Sequence, residues 1–186
     1  GVSGVVTGTG DLYTGGLIGY SWGGSIYRCY SSANVTAPNR VGGLVANSSQ
    51  TSYTDCYATG TATGGQGQQG QRISGLVAVN IGAGSITNCY ATGLVTGRSN
   101  YTAGLLESAG SCVVTSSYHC ETTGQPDDGG SNPRRTVSQM KQQLTFDGWD
   151  FAPETGVWRI IEGYTYPLLA WQQKTTGELN IEIVLD

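Results

Sequence analysis

Gly15-Gly16-Leu17 returns as Gly42-Gly43-Leu44, then as Ser74-Gly75-Leu76 and Ala103-Gly104-Leu105. The four leucines are 27, 32 and 29 residues apart. Outward from each leucine the same order of residues follows. A tyrosine stands 13 or 14 positions on: Tyr30, Tyr57, Tyr90 and Tyr118. Cys29, Cys56 and Cys89 precede the first three, and Ser117 takes that place in the fourth. A threonine comes five or six residues later, at Thr36, Thr63, Thr96 and Thr123. Val5-Val6-Thr7-Gly8 resembles Leu94-Val95-Thr96-Gly97, as expected of a chain cut from a longer protein and starting inside a repeat.

Each repeat holds three β-prone segments, around Gly-Gly-Leu, around Ile-x-x-Cys-Tyr-Ala and around Val-Thr-Gly, punctuated by Gly, Asn and Ser. No helical period appears before residue 134. The pattern predicts an all-β protein, a parallel β-helix (β-solenoid) of about four three-stranded coils. One coil cannot bury its apolar side alone. Coils stacked about 4.8 Å apart can, and every column of the repeat then becomes a physical ladder.

Composition agrees. Of 186 residues, 30 are Gly, 38% are hydrophobic and 12% are charged; the net charge is −4. That is too apolar for a disordered tail, and glycine lacks the three-residue period of collagen. No apolar run approaches the roughly 20 residues of a membrane helix, and the acidic balance argues against nucleic acid. Residues 1–100 carry six charged side chains and the remaining 86 carry sixteen, so the composition shifts along the chain.

The shift predicts three parts: solenoid repeats over 1–133, an aromatic-rich C-terminal cap over 134–172, and a terminal strand or linker over 173–186. Thr136-Val137-Ser138-Gln139 reads as a capping box opening a short helix from Val137 to Gln143. Phe146, Trp149, Phe151, Trp158, Leu169 and Trp171 follow, an apolar cluster expected to cover the last coil and its unpaired strand edge.

These residues resemble proteins carrying the GLUG motif. The likeness is carried by Gly16-Leu17-Ile18-Gly19, by the looser Gly43-Leu44-Val45-Ala46, Gly75-Leu76-Val77-Ala78 and Gly104-Leu105-Leu106-Glu107, by Ile86-Thr87-Asn88-Cys89-Tyr90-Ala91-Thr92-Gly93, and by the tail around Trp149, Trp158 and Tyr166-Pro167-Leu168-Leu169. The resemblance implies a bacterial surface or secreted β-helix of the kind found in filamentous-haemagglutinin-like adhesins and in non-catalytic parts of IgA-protease-family metallopeptidases. It supplies no catalytic residues.

The ladders suggest where chemistry could sit. The Cys29-Cys56-Cys89 column reads as reduced, inward thiols. The column Tyr13, Arg40, Arg72, Tyr101 places guanidinium against ring at both ends. Arg28 and Asp55 stack as an ion pair. Tyr30, Tyr57, Tyr90 and Tyr118 form an aromatic platform if they face outward, with Trp22 beside the first coil, and a core filling if they face inward; a turn inside Ile-x-x-Cys-Tyr leaves the two open. Cys112 and Cys120 flank the only histidine, His119. A Cys112–Cys120 disulfide, two free thiols and a metal site are the alternatives, and the ligand number falls short of a zinc site. Asp127-Asp128-Gly129-Gly130 lacks a calcium-loop pattern and reads as a turn. The early repeat carboxylates Asp11 and Asp55 are isolated, which disfavours glycosidase chemistry.

The chain is therefore expected to be a non-catalytic extracellular module, secreted or on the cell surface, acting in adhesion or as a display stalk. The alternative is a carbohydrate-binding or accessory module of a polysaccharide-active enzyme, using Trp22, Tyr30, Tyr57, Tyr90 and Tyr118; a catalytic β-helix ranks third. No cofactor or metal is expected. Its partners would be a host or environmental glycan or protein surface and the other domains of its parent chain, with no membrane insertion.

Overall fold

The computed structural model describes residues 1–10, 12–65, 71–127 and 133–172. The chain winds through four coils of five short strands, and equivalent strands stack into five parallel ladders, here lettered a to e in chain order. Ladder a comprises Val5–Thr7, Asn34–Ala37, Ala62–Gly64 and Val95–Thr96. Ladder b comprises Tyr13–Gly15, Arg40–Gly42, Arg72–Ser74 and Thr102–Ala103. Ladder c comprises Ile18–Trp22, Val45–Ser49, Val77–Ile81 and Leu106–Ser108. Ladder d comprises Ser25–Tyr27, Ser52–Thr54, Ala83–Thr87 and Ser111–Thr115. Ladder e comprises Tyr30–Ser31, Tyr57–Ala58, Tyr90–Ala91 and Tyr118–Cys120, and Arg134–Arg135 adds a fifth strand.

The all-β parallel solenoid of about four coils is thus present, with five strands per coil where three were expected. Two of the three predicted segments are each broken by a bend. The first bend is the Gly-Gly-Leu element between ladders b and c. A Cβ on Gly42 would overlap the Val45 carbonyl of its own coil, and one on Gly43 would overlap the Gly75 carbonyl of the next. The second bend, between d and e, falls on Arg28, Asp55, Asn88 and Ser116, with φ of 51°, 54°, 54° and 44°. That left-handed conformation disfavours most side chains, Asn and Asp least.

The glycine column also sets the cross-section. An added Cβ would lie 3.0 Å from Ala58 Cβ at Gly43 and 2.8 Å from Ala91 Cβ at Gly75. Two columns of small residues therefore meet across a waist, and the interior divides in two. One core holds Leu44, Leu76, Leu105, Tyr53, Ile86 and the buried thiols. The other holds Val35, Ala37, Val41, Ala62, Ile73 and Val95. The repeat leucines are fully buried in coils two to four, each worth about 1.5–3 kcal/mol.

After the last coil the capping box forms as expected. Gln139 N–H donates to Thr136 Oγ1 (3.2 Å) and Thr136 N–H donates to Gln139 Oε1 (2.9 Å). The helix is shorter than expected, Val137–Met140, and a 3₁₀ turn follows at Gln143–Thr145. The aromatic segment meets the last coil at Tyr118, against Phe146 and Trp149, but is not confined to it. It folds back along the outside of ladder e, where Met140, Phe146, Trp149, Trp158 and Leu169 pack on Tyr57, Tyr90 and Tyr118. The ladder offers a continuous apolar strip down the side of the solenoid, a larger surface than the end of one coil. The expected strand or linker over 173–186 lies outside the described residues.

Candidate functional site

The tyrosine column is a stack. Tyr30 and Tyr57 have ring centroids 5.1 Å apart at 12°, and Tyr57 and Tyr90 are 4.9 Å apart at 5°. The coil spacing of about 4.8 Å dictates that separation. The rings leave the solenoid core, but the aromatic segment seals Tyr57, Tyr90 and Tyr118 from solvent and leaves Tyr30 partly covered. Tyr90 Oη donates to the Pro167 carbonyl (2.6 Å), and Tyr57 Oη donates to Gln172 Oε1 (2.9 Å). Burial pushes both phenols well above their ordinary range. Arg135 lies 5.0 Å over the Tyr118 ring, and Trp171 lies 5.8 Å from Tyr30. The column is therefore neither an outward platform nor a core filling. It is the seat of the folded-back segment, and Tyr57, Tyr90 and Tyr118 cannot meet a ligand there. Trp22 alone of the five expected contact residues is largely exposed.

All five cysteines are free. At each bend between d and e the thiol or hydroxyl donates to the carbonyl two residues back: Cys29 to Tyr27 (3.3 Å), Cys56 to Thr54 (3.3 Å), Cys89 to Thr87 (3.2 Å) and Ser117 to Thr115 (2.8 Å). Cys89 Sγ and Ser117 Oγ also accept the backbone N–H of Cys56 (3.4 Å) and Cys89 (3.0 Å). The column thus ties neighbouring coils as well as closing each bend. Burial raises the Cys89 thiol. The Cys112–Cys120 disulfide is not formed, because the two side chains serve different cores. Cys112 packs inside the solenoid beside Asn80 Nδ2 (3.2 Å), and Cys120 lies under the folded-back segment beside Tyr166 Oη (3.9 Å). His119 is buried at the waist against Gly104, with Nδ1 3.1 Å from Thr123 Oγ1.

The Tyr-Arg-Arg-Tyr column forms in the expected register. Arg40 lies 5.1 Å over Tyr13 and Arg72 lies 4.8 Å over Tyr101. The central like-charge contact is relieved by partners the repeat pattern did not reveal. Arg40 Nη1 donates to Asn47 Oδ1 (2.7 Å), and Arg72 Nε pairs with Glu107 Oε2 (2.7 Å). Burial raises the Glu107 carboxyl, and Arg72 pulls against it. Glu107 was legible only as the residue replacing the last glycine of Gly104-Leu105-Leu106-Glu107.

The expected Arg28–Asp55 pair is not made. Asp55 Oδ1 instead accepts from Trp158 Nε1 (3.2 Å) and Asn88 Nδ2 (3.5 Å), and Arg28 carries no ion pair among the described residues. No group of three or more His, Cys, Asp or Glu suited to a metal ion occurs among the described residues. A depression of about 450 Å³ lies on the folded-back segment between Gln143, Phe146, Asp147 and Glu162. Glu162 there is engaged, accepting the Gln143 N–H at 2.9 Å.

Ladders, waist and bends together define a parallel β-solenoid repeat protein. The GLUG motif matches residues 10–36 and 71–96, so the chain carries two GLUG-motif repeats. The two matches fall on the first and third coils. No curated protein matches the chain, and no solved structure does.

Proposed function

We propose that this solenoid is a non-catalytic module of a larger bacterial surface or secreted protein, acting in adhesion or in display. The observation that carries the reading is what the repeat side chains do. Tyrosines seat the folded-back segment, thiols close bends, and Asp55 and Glu107 are engaged by Trp158 and Arg72. Such a coil stack is a stiff strut whose chemistry is directed inward, leaving its outer faces for contact. Function must be argued from a site, and these groups hold structure together.

Beads coated with the chain, presented to immobilised polysaccharides and matrix proteins, test this. Retention above uncoated beads, with no new reducing or unsaturated sugar ends released, is the expected result. Background retention on every surface, or the appearance of new chain ends, overturns it.

A further inference from the structure

The outward positions of the first coil differ from those of the other three. Tyr20 is 46% exposed, Trp22 74% and Tyr27 66%. The ladder registers supply an internal comparison. Tyr20 aligns with Asn47, Val79 and Ser108; Trp22 aligns with Ser49 and Ile81; Tyr27 aligns with Thr54, Thr87 and Thr115. Ladder geometry therefore requires no aromatic side chain in any of the three columns. Only one coil fills all three with rings, and these rings face water.

The patch is also pre-shaped. Tyr20 stacks on Tyr13 at 5.7 Å and 24°, and Arg40 lies on that same Tyr13 ring, so the Tyr20 ring is held in a layered stack. Tyr20 and Trp22 share a side of their strand, because alternate residues do. Between Trp22 and Tyr27 the turn is Gly23-Gly24, both at positive φ, with open space where a side chain would stand. The turn backbone is held by the second coil, Gly23 N–H donating to the Ser49 carbonyl (2.7 Å) and Ser52 N–H donating to the Gly24 carbonyl (3.0 Å), so a fixed spacer without side chains separates Trp22 from Tyr27.

Charge selects the ligand. Residues 12–54 contain Arg28 and Arg40 and no Asp or Glu, in a chain of net charge −4. Arg28 is exposed directly after Tyr27, and Asp55, the carboxylate expected to neutralise it, is taken by Trp158. A guanidinium with no ion pair among the described residues, adjacent in sequence to Tyr27, matches a ligand with apolar ring faces and carboxylates. A sugar's C–H face packs on the electron-rich face of an aromatic ring, and a guanidinium binds a carboxylate bidentately.

We infer that Tyr20, Trp22, Tyr27 and Arg28 form a binding surface for acidic polysaccharide, that is, chains of uronate sugars. This names the ligand class for the adhesion reading and rests on it.

Affinity electrophoresis of the full chain in gels containing polygalacturonate, alginate or hyaluronate tests the surface, with methyl-esterified polygalacturonate as the uncharged control. Retardation by at least one uronate polymer and not by the ester is expected. Trp22→Ala or Tyr27→Ala should weaken it about tenfold, and Arg28→Gln or about 0.5 M salt should weaken it as well. Leu144→Ala, an exposed apolar residue on the folded-back segment, should leave it unchanged. No retardation by any uronate, equal retardation by the ester, or full retardation of the Trp22 and Tyr27 variants overturns the inference. Bead adhesion that survives Trp22→Ala sinks this surface and leaves the adhesion reading standing. Absence of adhesion by the unaltered chain sinks the adhesion reading itself.

Discussion

Trp158 Nε1 donates to Asp55 Oδ1 across 3.2 Å, joining residues 103 positions apart. The bond reaches from the folded-back segment to a left-handed bend of the second coil. Trp158→Phe keeps most of the ring and removes the donor. It should cost about 1.5–3 kcal/mol, the range for a hydrogen bond to a charged group, and Trp158→Ala about 3–5 kcal/mol. Urea unfolding of both variants checks the order; a Trp158→Phe variant as stable as the unaltered chain would mean the indole N–H contributes nothing.

Gly43 and Gly23 predict different costs from the same substitution. Gly43→Ala pushes a Cβ into the Gly75 carbonyl and against Ala58, between two stacked coils. Backbone cannot yield there, so about 3 kcal/mol or more should be lost, at the upper end for overpacking. Gly23→Ala meets open space and loses only the φ preference, about 1 kcal/mol. Thermal unfolding of the pair reads the difference directly.

Cys89→Ser should be tolerated and Cys89→Val should not. Ser117 already performs the same task in the fourth coil, donating to Thr115 and accepting from Cys89 N–H. Valine leaves the buried Cys56 N–H without its acceptor, a loss of about 1–3 kcal/mol. An aromatic disulfide reagent should reach the partly exposed Cys29 and Cys112 in the native protein and spare Cys56 and Cys89. Rapid labelling of Cys89 without unfolding would contradict its burial.

Glu107 makes a prediction about pH. Burial raises its carboxyl in the folded state, Arg72 and Arg40 opposing. The folded protein then holds that proton more tightly than the unfolded chain does. Its contribution is fully present below the unfolded value and is lost as pH rises through the folded one. Glu107→Gln should therefore flatten stability across the weakly acidic range, relative to the unaltered chain. Parallel pH profiles for the two proteins would sink this account.

Much of this was readable in the residues. Equivalent side chains at 27 to 33 residue intervals gave the coil, the tyrosine stack and both arginine–tyrosine contacts, because a parallel ladder turns a repeat directly into a contact. The bends were not readable. Arg28, Asp55, Asn88 and Ser116 share a left-handed conformation without sharing a residue type. One such residue two places before each tyrosine is enough to undo any parity argument about where the ring points. The position of the aromatic segment was hidden for a related reason. Its composition declares a large apolar area, but only the outward tyrosine strip says which surface that area covers. Arg28 was misassigned because Trp158, its competitor for Asp55, is remote in sequence.

A stack of repeats touching only their neighbours melts piecemeal, since each interface is lost on its own. The folded-back segment removes that independence. It holds the first coil through Trp171 and Tyr30, the second through Asp55 and Tyr57, the third through Tyr90 and the fourth through Ser116, whose carbonyl accepts from Trp149 Nε1 at 2.8 Å. Fraying any coil strips a splint shared by all of them. The array should then unfold in a single cooperative step, and tension along the solenoid axis is divided between the backbone ladders and a brace running beside them.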